Sequence, residues 1–414
     1  MTIKPSARCY IRITFVVPVL LLALTASSAQ QRIVAVGDVH GSYSEFVTIL
    51  QRTGLIDGSR RWIGGSSVLV QTGDVLDRGT RTRECVDLLM ELERQAEAQH
   101  GKVIPLLGNH ETMNITHDLR GVSPEDYAAF ATGLSDKVRE QAYREYREFL
   151  ATHKDPAHAA VPDNDATRQK WMAEHPPGFF ERQNAFGPSG LYGRWLRQHD
   201  AIFQVGDMLF VHGGPSPALN VTDIKELNDR IRSELAAFDS LWEALTEKKI
   251  IWRYMNLEEA TRWAQEEWMG MLIRGKVEDP DAAQKILKLL SLQTWTIVSP
   301  DGPLWYRGLA LESEERLKPD LEAMLARLNL RYIVAGHTVR PKYNITPRFD
   351  NHVFLIDTGM MRREYGGRAS ALEIQSGRFT AYYSNGEQQV LLAPEGGVTV
   401  PATSQSEGSK KQKP

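Results

Sequence analysis

Five short runs of apolar, mostly branched residues, each passing straight into a turn that carries glycine or histidine, constrain this chain more than any other feature. They lie at residues 33–36, 68–70, 103–107, 209–211 and 332–335. Unbroken apolarity over so few residues suits strands covered on both faces, whereas a strand with one wet face alternates. The segments between them supply helices, for instance after Tyr43 and over 83–95, so the spacing predicts an α/β fold with a βαβαβ core. A sixth run, 353–356, joins the same sheet system.

Between the third and fourth runs, Leu134, Val138, Ala142, Tyr146 and Phe149 recur at helical spacing and predict an inserted helical cap over about 113–200. A second helix-rich insert spans about 222–300, its charges reading as solvated helix faces. No internal repeat is visible.

The ends of the chain differ from its middle. Lys4, Arg8 and Arg12 precede the apolar run 15–24, which closes on small residues ending at Ala29. Such a run is about half of what a spanning helix needs, and charge, apolar stretch and small residues in that order predict a cleaved signal peptide over 1–29. The expected location is therefore periplasmic or secreted, with no stable membrane insertion after cleavage. Cleavage would remove three of the 49 Lys+Arg and none of the 52 Asp+Glu, moving the formal charge from −3 to about −6. That balance lacks the concentrated basic face a nucleic-acid partner requires. It also leaves Cys85 alone, with the character of a small buried helix residue rather than a nucleophile. Residues 394–414, rich in Pro, Gly, Ser, Thr and Lys, are expected to be a disordered tail, so the catalytic domain is read as 30–393.

The chemistry sits where the runs end. Gly37-Asp38-Val39-His40-Gly41 follows the first, Gly73-Asp74-Val75-Leu76-Asp77-Arg78-Gly79 the second, and Gly108-Asn109-His110-Glu111 the third. The fourth delivers His212-Gly213-Gly214 and the fifth Gly336-His337-Thr338. Carboxyl ends of strands in open α/β sheets are where sites form, so these turns should converge on one crevice. Any one of them alone is common loop punctuation or a structural histidine; five in this order, each directly after a strand, are not. Carboxylate, imidazole and amide ligands without thiolate suit divalent Mn, Fe or Zn, and a carboxylate, most naturally Asp74, can bridge two ions. The other seven histidines, at 100, 117, 153, 158, 175, 199 and 352, stand in no such context.

At these five motifs the sequence resembles the phosphoprotein phosphatases of the calcineurin-like metallophosphoesterases over about residues 32–375. The segment Gly302-Pro303-Leu304-Trp305-Tyr306-Arg307 is similar to the Shewanella-like bacterial branch. The resemblance implies a β-sandwich flanked by helices and two divalent metal ions, Mn first among them and Fe or Zn as alternatives. It makes Asp38 and His40 ligands of one ion, Asp74 the bridge, and Asn109, His212 and His337 ligands of the other. His110 would be the general acid, Asp77 its orienting partner, and Arg78, with Arg307 as a second candidate, the grip on phosphate. There are two departures: Leu107 stands where eukaryotic relatives carry Arg before Gly-Asn-His-Glu, and their Ser-Ala-Pro-Asn-Tyr loop is missing. The toxin sensitivity and substrate preferences of those enzymes are therefore not carried over.

The implied activity is hydrolysis of phosphoserine, phosphothreonine or phosphotyrosine in a protein or peptide, by direct attack of a water shared between the two metals. Two rivals stand beside it. A diadenosine polyphosphate hydrolase shares the metal motifs, but Asp77-Arg78-Gly79 and Glu111 look more like the protein phosphatases. A non-catalytic metal-binding scaffold would usually have lost a ligand or the acid, and this chain retains every position.

Overall fold

The computed structural model describes residues 31–153 and 162–394. The signal peptide expected at 1–29, and all but the first residue of the expected tail, lie outside them. Eleven strands fall among the described residues: β1 Ile33–Val36, β2 Val68–Gln71, β3 Lys102–Pro105, β4 Ile202–Val205, β5 Met208–Val211, β6 Tyr332–Ala335, β7 Thr346–Arg348, β8 Val353–Leu355, β9 Ser370–Gln375, β10 Arg378–Tyr383 and β11 Gln388–Leu392. They form two sheets, ordered β11-β10-β9-β1-β2-β3 and β4-β5-β6-β8-β7. The fold is the α/β sandwich expected, but the runs are divided between layers: the first three strands belong to one sheet, and β5, β6 and β8 to the other.

Alternate residues of each strand explain the unbroken apolarity. Ile33, Ala35, Val68 and Val70 pack against Phe210, Val334 and Phe354 of the facing sheet and Leu372, Ile374 and Phe379 of their own. Val34, Val36 and Leu69 instead join the helix-side core with Phe46, Ile49, Val86 and Leu89, as Leu209, Ile333 and Leu355 do with Leu321 and Met324. A strand between a sheet and a helix layer has no wet face, so every position is apolar. Cys85 lies fully buried in the helix Thr82–Glu97.

Register is what aligns the loops. Parallel pairing sets Val36 beside Gln71 and Gln71 beside Pro105, so the three motif loops leave the first sheet at one level. In the second sheet Val211 pairs with Ala335 and Ala335 with Leu355, so His212, His337 and Asp357 also leave together. The third strand is shorter than the run 103–107. Leu106 N still donates to Gln71 O at 2.8 Å, but Leu107 N turns away to Asp200 O at 3.0 Å.

The segment with helical spacing forms the helix Ser135–Thr152, with Leu134 just outside it and exposed. The two helix-rich inserts share a single core. Tyr143, Phe149, Trp171 and Phe180 of the first pack with Phe238, Trp242, Trp252 and Trp263 of the second, Phe149 and Trp263 having ring centroids 5.0 Å apart. They make one helical cap with an aromatic interior of its own. Among the described residues no helix is long and apolar enough to cross a membrane.

Candidate metal centre

The loop after β1 is tied to the loop after β2 by backbone: Val39 N and His40 N both donate to Asp74 O at 2.9 Å. The second loop meets the third at two glycines. A Cβ on Gly73, whose φ is +91°, would lie 2.4 Å from Gly108 N, and one on Gly108 would lie 2.3 Å from Asp74 Oδ1. Only glycine allows that approach. His40, Asp74, Asp77, Arg78 and His337 themselves occupy the left-handed region, with φ from 45° to 68°. Each such residue costs about 1–3 kcal/mol that the surrounding packing must offset, and such residues gather at functional sites.

Glu111 supplies much of that packing. Buried, it accepts from Asp74 N (2.7 Å) and Gly108 N (2.8 Å) at one oxygen, and from Val75 N (2.9 Å) and Leu76 N (3.2 Å) at the other. Glu111→Gln would turn an NH2 toward two of those donors. Leaving buried donors unpaired costs about 1–3 kcal/mol each. The variant should therefore unfold roughly 5–10 °C lower than the parent, a shift that thermal unfolding of both proteins in chelator would measure; an unchanged midpoint would refute this role.

The imidazoles are oriented by carbonyls. His40 Nδ1 meets Leu76 O at 2.9 Å, His212 Nδ1 meets Thr72 O at 2.9 Å, and His337 Nε2 meets Trp305 O at 3.2 Å. A carbonyl only accepts, so each of these nitrogens carries hydrogen and the opposite nitrogen of the neutral ring offers a lone pair. Those lone pairs turn inward. His40 Nε2 lies 3.5 Å from Asp74 Oδ2 and 3.9 Å from Asp38 Oδ2. His212 Nε2 lies 3.4 Å from Asp74 Oδ1 and 2.9 Å from both Asn109 Oδ1 and His337 Nδ1. Asp38 Oδ1 accepts from His337 N at 2.9 Å, which joins the first loop to the last. Two groups of ligand atoms lie within 4.8 Å of one another, His40 with Asp74 and His110, and Asp74 with His212 and His337, so Asp74 is common to both.

Electrostatics point the same way. Burial opposes ionisation of Asp74, yet the imidazoles of His212, His110 and His40 hold it well below the usual carboxylate range. Burial also opposes charge on His212, but Asp74 and Asp38 push it up to about 9. Burial depresses His40 to about 3 and His337 to about 2. Burial, then the neighbouring Asp357, raises Asp38. The inward-facing N and O ligand atoms, gathered around one shared buried carboxylate, fit divalent cations.

Beside these ligands stands a second constellation. His110 Nδ1 bonds Asp77 Oδ2 at 2.7 Å, and Asn114 Nδ2 donates to Asp77 Oδ1 at 2.9 Å. Burial alone would lower His110, but Asp74 and Asp77 outweigh it and its pKa is raised. Arg78 spans the opening, with Nη1 at 2.9 Å from His40 Nε2 and Nη2 at 3.0 Å from His110 Nε2. Arg307 is exposed and makes no ion pair among the described residues; its Nη1 donates to His337 O (2.8 Å) and Thr338 Oγ1 (3.1 Å). All ten residues singled out by sequence are thus brought together.

Two neighbouring side chains and three backbone carbonyls are not marked by the motifs. Asp357 is fully buried and pushed by its burial to about 6; the apolar run 353–356 ending just before it was the available signal. The ring of Tyr365 stands 6.3 Å from that of His40 and 5.5 Å from the Arg78 guanidinium, on the short helix Arg362–Tyr365, which has no metal-motif pattern. The carbonyls that orient the imidazoles carry no sequence signal at all.

This chain belongs to the calcineurin-like phosphoesterase family, whose profile matches residues 31–341. Within that family it is 32% identical over 209 residues to Shewanella-like protein phosphatase 2 of Arabidopsis thaliana, a match covering 50% of this chain and about half, 52%, of that protein. It is 24% identical over 332 residues to Shewanella-like protein phosphatase 1 of Plasmodium berghei (strain Anka), covering 80% of this chain and 67% of that one. The crystal structure of a cold-active protein-tyrosine phosphatase from a psychrophilic Shewanella shares the fold, with a TM-score of 0.56 at 23% identity over 87% of this chain and 80% of that one.

Proposed function

We propose that the chain is a dimetal-dependent phosphoprotein phosphatase, and that Asp38 and His40 hold one ion, Asn109, His212 and His337 the other, and Asp74 both. The observation that carries this is the Asp77–His110 pair, 2.7 Å between heteroatoms, set against a cluster whose lone pairs converge on a shared carboxylate. Bound divalent ions would polarise the phosphoryl oxygens and lower the pKa of the attacking water. The chain's own residues do the rest. Arg78 is placed at the opening with a planar fork that matches two phosphate oxygens, which Lys could not. Arg307, tethered by one nitrogen to the His337 turn, offers the remainder of its guanidinium as a second clamp. His110, anchored by Asp77, donates its proton to the departing oxygen. The protein-phosphatase names of the Arabidopsis and Plasmodium relatives support the substrate class, and the pattern of residues 1–29 supports an exported protein.

Purified chain supplied with Mn should hydrolyse phosphotyrosine, phosphoserine or phosphothreonine peptides with higher kcat/KM than diadenosine tetraphosphate. The reverse order would refute the proposal in favour of a dinucleotide hydrolase, and inertness toward both would leave a metal-binding scaffold.

A further inference from the structure

Behind Asp77, on the side away from His110, lies an arginine that the reaction above does not use. Arg182 belongs to the cap, on the helix Phe179–Phe186, and is 1% exposed. Its Nε donates to Asp126 Oδ2 at 2.7 Å, and its Nη2 lies 3.7 Å from Asp77 Oδ1 with no hydrogen bond to any described residue. Both carboxylates are fully buried. The guanidinium lies over the rings of Phe186 and Tyr127, 4.6 and 5.7 Å from their centroids. Its placement is enforced from the backbone: Gly178, at φ +89°, sits where a Cβ would lie 1.9 Å from Tyr127 O, so the helix bearing Arg182 docks hard against the one bearing Asp126.

A buried Arg between two buried Asp is an expensive way to hold a fold together, since apolar residues of similar volume usually serve as well or better. Its position accounts for it. Asp77 gives Oδ2 to His110, while Oδ1 is left to Asn114 and to the charge of Arg182, so the carboxylate is fixed from both ends. We infer that Arg182 is a positioning residue: through Asp77 it sets the line along which His110 meets the leaving oxygen, so that turnover depends on a side chain delivered by the helical cap. This rests on the reading of His110 as general acid.

The test compares an alkyl phosphomonoester with 4-nitrophenyl phosphate, Mn supplied, in the full chain. Misplacing a catalytic group by about 1 Å can cost roughly 10²-fold. Arg182→Met should therefore lose kcat on the alkyl ester by roughly that factor, with KM little changed and a far smaller loss on the nitrophenyl ester, which needs little protonation. Arg182→Lys should recover part of the loss, its single ammonium reaching only one carboxylate. Groups that act as a unit are not additive, so adding Arg182→Met to His110→Asn should cost nothing further on the alkyl ester. Equal losses on both esters, or additive losses in the double variant, would overturn the inference. If Arg182→Met does not fold, Asp126→Ala decides, because it removes the acceptor that anchors Arg182 Nε: a leaving-group-dependent loss supports the inference, and an undifferentiated loss or none overturns it. If His110→Asn itself retains full turnover of the alkyl ester, the general-acid reading and this inference fall together; if only the Arg182 and Asp126 variants behave like the parent, this inference alone fails.

Discussion

Asp74→Asn should strip the site of metal and lower phosphate release by at least about 10³-fold. Asparagine keeps the shape, tolerates the left-handed backbone at φ 57°, and can still accept the 3.0 Å bond from His110 N at Oδ1. What it removes is the charge to which His212, His110 and His40 all respond. Because this one carboxylate faces both ligand groups, its loss weakens both at once, whereas loss of an outer imidazole weakens one. Metal catalysis supplies several kcal/mol of charge stabilisation, and each 1.36 kcal/mol is tenfold in rate. Elemental analysis of the purified variant together with phosphate release would check this. Parental metal stoichiometry and turnover in a variant with an unchanged melting curve would remove Asp74 from the centre of the site.

His110→Asn should divide the two functions that Asp74→Asn destroys together. His110 is one of the three residues of one ligand-atom group, but its Nδ1 is engaged by Asp77 and its Nε2 faces Arg78. The expected result is a protein that keeps its metal and loses turnover of alkyl phosphoesters by about 10²- to 10⁴-fold, the usual contribution of a positioned acid. Activated aryl esters should suffer much less. Loss of metal in the variant would make His110 a ligand; retained metal with parental alkyl-ester turnover would make it a bystander.

The parts of the molecule legible in sequence were those with a local cause. β1, β2, β5, β6 and β8 were visible because burial on both faces leaves unbroken apolar runs, and the site because its ligands lie in the turns those strands feed. β9, β10 and β11 were missed. These strands have more open positions, as at Glu373, Gln388 and Gln389, and the one local cue, the turn Ser376-Gly377 with φ of 50° and 74°, is short. Division of the strands between two sheets was not legible either, since it depends on which face each side chain finds. Nor was Arg182, because an arginine in a polar helix pattern reads as solvated; only the approach of two helices at Gly178 buries it.

One pairing has a kinetic meaning. β1, which carries Asp38 and His40, is closed on one side by β9, Val34 lying opposite Glu373 from the far end of the described chain. His337 N and Asp38 Oδ1 repeat that closure at the site. Contacts between such distant residues form slowly, because the loop entropy must be spent before the contact rewards it. A growing polypeptide therefore carries all three early motifs long before it can assemble them. The site is complete only once β5 and β6 deliver His212 and His337 opposite the first three loops.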